Sequence, residues 1–114
     1  MASWPTHDEV LSVLRMPEGT ADDDFVESCR LAAIDYCAAR VDPAYIGPDP
    51  GDGSGNVVGE GIHMGALLLS ARLYRRRDSL DGTIGWGEMG VVRVGLSDPD
   101  VVANLAPYLA MVIG

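Results

Sequence analysis

The clearest signal in the chain is the spacing of its apolar residues. After Trp4-Pro5, the pair Thr6 and Glu9 has the form of a capping box, and Val10, Leu11 and Leu14 give the residues that follow one apolar side. This predicts a short helix over 7–14, stopped by Pro17-Glu18-Gly19. Asp22, Asp23 and Asp24 then stand where the positive end of a helix dipole favours acids. Phe25, Cys29, Ala32, Ala33, Tyr36 and Cys37 repeat behind them at helical spacing, so a second helix is expected over 21–40.

From Asp42 to Gly59 the chain holds Pro43, Pro48, Pro50 and five glycines, a composition that sustains neither ladder of backbone hydrogen bonds, and a long loop is expected. Residues 60–77 read as a third helix. Met64, Leu67, Leu68, Ala71 and Tyr74 line one side and Leu69 and Leu73 widen the stripe, so this helix should be the buried centre. Gly82, Gly85, Gly87 and Gly90 then flank Thr83, Ile84 and Trp86 and lead into Val91-Val92-Arg93-Val94, which reads as a β-hairpin or two short strands over 82–95. Ser97-Asp98-Pro99-Asp100 starts a last helix, with Ser97 the expected cap, and Pro107 closes it. The expected fold is mainly α: one domain over 1–106, of about four helices with a short hairpin before the last, followed by a tail at 107–114 that has no charged side chain.

Composition narrows the function. A chain of 114 residues supports one core. Seventeen acids against eight bases, all of them arginine, give a net charge of −9. Such a protein does not grip nucleic acid, because affinity there rests on cations neutralising phosphates. A wall of carboxylates around a passage would instead let DNA slide without sticking. Cys29 and Cys37 lie about two helical turns apart, roughly 12 Å along the axis, too far for a disulfide, and are expected to be buried thiols. No basic segment precedes an apolar stretch at the N-terminus, so no secretory leader is expected. The most apolar run, Ile62 to Tyr74, is about 20 Å long as a helix, shorter than the hydrocarbon layer, and no membrane association is expected.

Candidate chemistry is sparse. Gly85-Trp86-Gly87-Glu88-Met89-Gly90 fits the dinucleotide string G-x-G-x-x-G, but a helix precedes it and a strand follows, the reverse of what that site needs. Asp49 and Glu60 stand at the ends of a calcium-loop spacing whose inner positions, Gly51 and Gly53, offer no side-chain oxygen. His7 and His63 lack partners at zinc-finger spacing. Neither a nucleophile and base nor a metal or cofactor site is expected, so the chain reads as a non-enzyme. The dense cationic cluster Arg75-Arg76-Arg77-Asp78 suits the C-terminal end of a helix dipole, and equally a set of bidentate donors to carboxylates of a neighbouring copy.

Taken in order, Trp4-Pro5, the Asp22-Asp23-Asp24 helix start, Ala71-Arg72-Leu73-Tyr74-Arg75-Arg76-Arg77-Asp78-Ser79, Gly82, Gly90-Val91-Val92-Arg93-Val94 and Ser97-Asp98-Pro99-Asp100-Val101 give the chain its character. This order resembles the head-to-tail adaptor, or connector, proteins of long-tailed phages, particularly those of actinobacterial hosts. The resemblance runs from residue 4 to about 108, and the 42–59 loop departs from it.

The resemblance implies a structural subunit of the virion neck, made in the host cytoplasm, that assembles into a homo-oligomeric ring of about a dozen copies. Such a ring joins the portal to the stopper or tail-completion protein and extends the channel through which double-stranded DNA passes. It further implies portal docking by Tyr108, Leu109, Met111, Val112 and Ile113. Contacts between copies are expected from Arg75, Arg76, Arg77 and Asp78, and a ring or stopper contact from Ile84, Trp86 and Arg93. Asp22, Asp23 and Asp24 are the candidate channel-facing acids. The competing reading is a small homo-oligomeric regulatory or binding module that uses the apolar tail as its interface.

Overall fold

A computed structural model describes residues 2–16, 23–47, 57–76 and 96–109. Among them the fold is mostly helical, with four helices and a short two-stranded antiparallel pairing that precedes the last helix in the chain: β1 (Ala2–Ser3), α1 (His7–Leu14), α2 (Asp23–Arg40), β2 (Val57–Val58), α3 (Glu60–Arg75) and α4 (Pro99–Leu105). The strands pair Ala2 with Val58 and Ser3 with Val57. They join the start of the chain to the end of the 42–59 segment, a pairing that no local pattern announces. The segment 82–95, where the sequence places a hairpin, lies outside the described residues.

α1 starts on the expected capping box. Thr6 Oγ1 accepts from the Glu9 amide at 3.2 Å, and Glu9 Oε1 accepts from the Thr6 amide at 3.0 Å. It ends before Pro17, because Arg15 turns into the left-handed region at φ 58°. The Arg15 amide then donates to the Ser12 carbonyl and the Met16 amide to that of Leu11, and Met16 closes over the apolar cluster of Val10, Leu11, Val26 and Leu67.

α2 packs along α3 through Cys29, Ala33, Tyr36 and Cys37. Both cysteines are free and buried, as expected, and burial pushes the Cys37 thiol up to about 12, which leaves it inert. Arg40 ends the helix with its guanidinium 4.0 Å above the Tyr36 ring. The loop expected over 42–59 contains a 3₁₀ turn at Pro43–Tyr45, capped by Asp42, as well as β2. Its two sides meet where Ile46 bridges Val58 and the Gly47 amide donates to the Val57 carbonyl at 2.6 Å.

α3 is the buried centre, with Ile62, Gly65, Ala66, Leu67, Leu69, Ser70, Ala71 and Leu73 all shielded. The buried stripe is not quite the expected one: Met64 is exposed, and Leu68 and Tyr74 are half-buried. The row Glu60, Met64, Leu68 and Arg72, each four residues from the last, is the less covered side of α3, with Glu60 and Met64 exposed and Leu68 and Arg72 half-buried. Ser70, fully buried, satisfies its hydroxyl by donating to the Ala66 carbonyl at 2.7 Å.

α4 lies on the glycine side of α3. A Cβ on Gly65 would stand 3.0 Å from Leu105 Cδ2, and one on Gly61 would collide with the Asn104 carbonyl oxygen. The helix is capped by Asp98, not by the expected Ser97. Asp98 Oδ1 accepts from the amides of Asp100 at 3.0 Å and Val101 at 3.2 Å, and its Oδ2 takes Arg72 Nε at 2.7 Å. Burial opposes the charge on Asp98, but the Val101 amide and Arg72 outweigh it and hold the carboxyl below its ordinary range. An aspartate one position nearer the helix thus reaches both the free amides and the arginine of α3. None of the helices among the described residues is long and apolar enough to cross a membrane.

An L-residue in the left-handed region costs roughly 1 kcal/mol. Arg15→Gly should therefore stabilise the protein, by up to about 1 kcal/mol once glycine's freer unfolded chain is subtracted. Urea denaturation of the two proteins checks this; an unchanged or lower midpoint would contradict the strain at Arg15.

Candidate interaction surfaces

Three surfaces carry the residues singled out in the sequence. The first is where the chain runs past α4. Leu105 leads into a 3₁₀ turn, Ala106–Tyr108, which Pro107 permits because the amide it lacks has no helical partner to lose. Tyr108 then folds back over Gly59 and Gly61, where a Cβ on either would run into its ring. Its hydroxyl oxygen accepts from the Gly61 amide at 3.4 Å, a long bond. The Tyr45 ring meets it edge-on, with centroids 5.1 Å apart at 88°. The Tyr108 carbonyl accepts from the Asp42 amide at 2.8 Å, and Leu109 bridges Val41.

Tyr108 and Leu109, read as the start of a docking tail, are therefore held by the body of the fold. Leu109 nevertheless remains 43% exposed, as does Tyr45, whose ring meets that of Tyr108. Met111, Val112 and Ile113 lie outside the described residues. The glycines that make the seat, Gly59 and Gly61, could be read in the sequence only as a loop end and a helix position, because nothing local indicates that a tyrosine 47 residues away fills the space above Gly61.

The second surface is the end of α3. Arg75 and Arg76 are both exposed there, and Arg76 closes the helix by donating its amide to the Arg72 carbonyl at 3.1 Å. Arg77, Asp78, Ile84, Trp86 and Arg93 lie outside the described residues. Arg72, one turn earlier, is drawn to Asp98 and also reaches Asp100, at 3.2 Å.

The third is the acidic start of α2. Asp22 lies outside the described residues and Asp24 is exposed. Asp23 is engaged within the chain, its Oδ1 2.7 Å from His7 Nε2. His7 Nδ1 lies 2.9 Å from Glu27 Oε1, and Glu27 in turn holds Arg30 through two hydrogen bonds of 2.8 and 2.6 Å. The hydrogen bond to Asp23 raises the His7 pKa against the opposing effect of burial, and Glu27 adds to the rise. Arg30 holds the Glu27 carboxyl below its ordinary range despite burial, with His7 contributing. Asp23, one of the acids favoured by the helix dipole, thus also serves as a partner for a histidine from α1, a use that only the tertiary fold reveals.

The other histidine is placed in a similar way. His63 Nδ1 donates to the Ser3 carbonyl at 2.6 Å, and Nε2 lies 3.1 Å from Glu9 Oε2. Among the described residues no group of three histidine, cysteine or carboxylate side chains could hold a metal ion. No family model matches the sequence, and no curated protein or solved structure matches it.

The seat of Tyr108 predicts its own test. Tyr108→Ala should leave the space over Gly59 and Gly61 empty and destabilise the protein by about 2 kcal/mol, less than a fully buried aromatic would because the ring is half-exposed. The Asp42 amide should lose its protection from hydrogen exchange in the same variant. Unchanged stability together with an unchanged Asp42 amide would remove the seat.

Proposed function

We propose that the chain is a structural subunit of the head-to-tail connector ring of a long-tailed phage, placed at the virion neck between portal and stopper. The observation that carries this reading is the fixed exit of the C-terminal segment. The fold pins Tyr108 in a glycine-floored seat, and the six residues from Leu109 to Gly114, none with a charged side chain, start at the exposed Leu109. A segment of that composition gains by burial in a partner. The order of sequence features from Trp4 to Val101 supports the same assignment by resemblance.

In this reading residues 109–113 dock on the portal, and the arginines at the end of α3 pair with carboxylates of the adjacent copy, where planar guanidinium groups favour bidentate contacts. Ile84, Trp86 and Arg93 contribute to the ring or stopper contact. The net charge of −9 lets double-stranded DNA pass without being held. Asp24, exposed on the first turn of α2, serves as a channel-facing acid. Asp23 is a weaker candidate, because its carboxylate is already engaged with His7.

Two experiments test the reading. Deleting residues 110–114 keeps Tyr108 in its seat, so the truncated protein should melt like the full chain yet lose binding to the portal in a pull-down. Retained portal binding would reject the docking role. Arg75→Glu should leave the monomer folded and reduce ring formation seen by electron microscopy. Rings formed equally well would reject the pairing between copies, and a stable dimer with no rings would favour a small binding module instead.

A further inference from the structure

Both histidines of the chain sit on the boundary of one segment, residues 2–16. This segment crosses α2 and α3 as a strap. Apolar burial holds part of it: Pro5, Val10 and Leu11 are shielded, and Val10 and Leu11 close over Val26 and Leu67. Trp4, Val13, Leu14 and Met16 pack against the same clusters and Ala2-Ser3 pairs with Val57-Val58; the side-chain ties beyond these are polar. His7 spans from α1 to Asp23 and Glu27 of α2, Arg30 Nη1 donates to the Pro5 carbonyl at 3.1 Å, and His63 of α3 reaches Ser3 and Glu9.

The stereochemistry at His7 is restrictive. A carboxylate oxygen only accepts hydrogen bonds, and a neutral imidazole has a single N–H. Nε2 at 2.7 Å from Asp23 and Nδ1 at 2.9 Å from Glu27 can both donate only when the ring is an imidazolium. In the neutral ring one nitrogen lone pair faces a carboxylate at hydrogen-bonding distance, and that contact turns repulsive.

We propose that residues 2–16 form a proton-keyed strap: protonated His7 clamps α1 to α2, and loss of that proton releases the strap from the α2–α3 groove. The release does not depend on what the chain assembles with. The groups that face His7 are Asp23 and Glu27 from α2, with Arg30 fixed on Glu27. Asp8 and Glu9 are its neighbours on α1, and Glu9 is turned to His63 of α3. Because the folded pKa of His7 is raised, the clamp is fully present below the ordinary value of 6.5 and is lost as pH rises through the folded value. Glu27, held below its ordinary range, stays charged throughout, so the switch runs in one direction between neutral and alkaline pH. Each unit by which the His7 pKa is raised corresponds to about a tenfold change in the opening equilibrium of the strap.

Trp4 lies in the strap, partly buried against the main core, and Trp86 is the chain's second tryptophan. In a Trp86→Phe background the emission maximum of Trp4 should therefore report the strap. From pH 6 to 9 it should move to the red with a one-proton midpoint above 6.5. Over the same range the amides of α1 should exchange faster relative to those of α3, after correction for intrinsic rates. His7→Gln should abolish both responses, whereas His63→Gln, which removes the other imidazole tied to the strap through Ser3 and Glu9, should leave them in place; both variants retain the α-amino group, which titrates in the same range. Asp23→Asn, a second variant that keeps a hydrogen-bonding side chain, should move the midpoint down towards 6.5. The proposal is overturned if Trp4 emission and α1 exchange stay flat across the range, or if His7→Gln responds like the parent protein.

Discussion

α3 can exist in water only if something covers it on nearly every side. Half of its sixteen residues are buried, and each other helix takes one sector of its surface. α2 lays Cys29, Ala33, Tyr36 and Cys37 along it, α1 closes on Leu67 with Val10 and Leu11, and α4 brings Val101 and Leu105. Burying a leucine such as Leu69 is worth about 2 kcal/mol. The short α1 and the seven-residue α4 gain little from helix propensity alone, so their stability comes chiefly from this packing.

The glycine side of α3 sets how the chain leaves the fold. Gly61 and Gly65 let α4 approach the α3 backbone more closely than side chains would permit, and Gly59 and Gly61 leave room for the Tyr108 ring. Because Tyr108 is seated there against Tyr45, Leu109 is held opposite Val41.

The acidity of the chain acquires structure in the same way. Glu9, Asp23, Glu27, Asp98 and Asp100 are engaged with histidine or arginine inside the fold, so they brace elements against one another. Asp8, Asp24 and Asp35, by contrast, stand on exposed positions. A net charge counts both kinds alike, and only their placement separates the carboxylates that hold the protein together from those that face outward.

Local signals were enough for most of the helical frame. The capping box at Thr6 and Glu9, the acids before Phe25 and the apolar repeat from Ile62 to Leu73 depend on contacts within one or two turns, and they placed α1, α2 and α3 close to where they lie. Other features depended on partners distant in the chain. β1 needs Val57 and Val58 opposite it, the cap of α4 moves to Asp98 because Arg72 draws on that carboxylate, and Met64 is exposed because α1, α2 and α4 cover other sides of α3. The candidate site divides along the same line. Charge, apolarity and helix ends can be read residue by residue, so the arginine cluster and the uncharged tail were visible in the sequence. The seat of Tyr108 and the double clasp on His7 exist only where separate elements meet, and a distance in space between residues far apart in the chain is a property that no local pattern encodes.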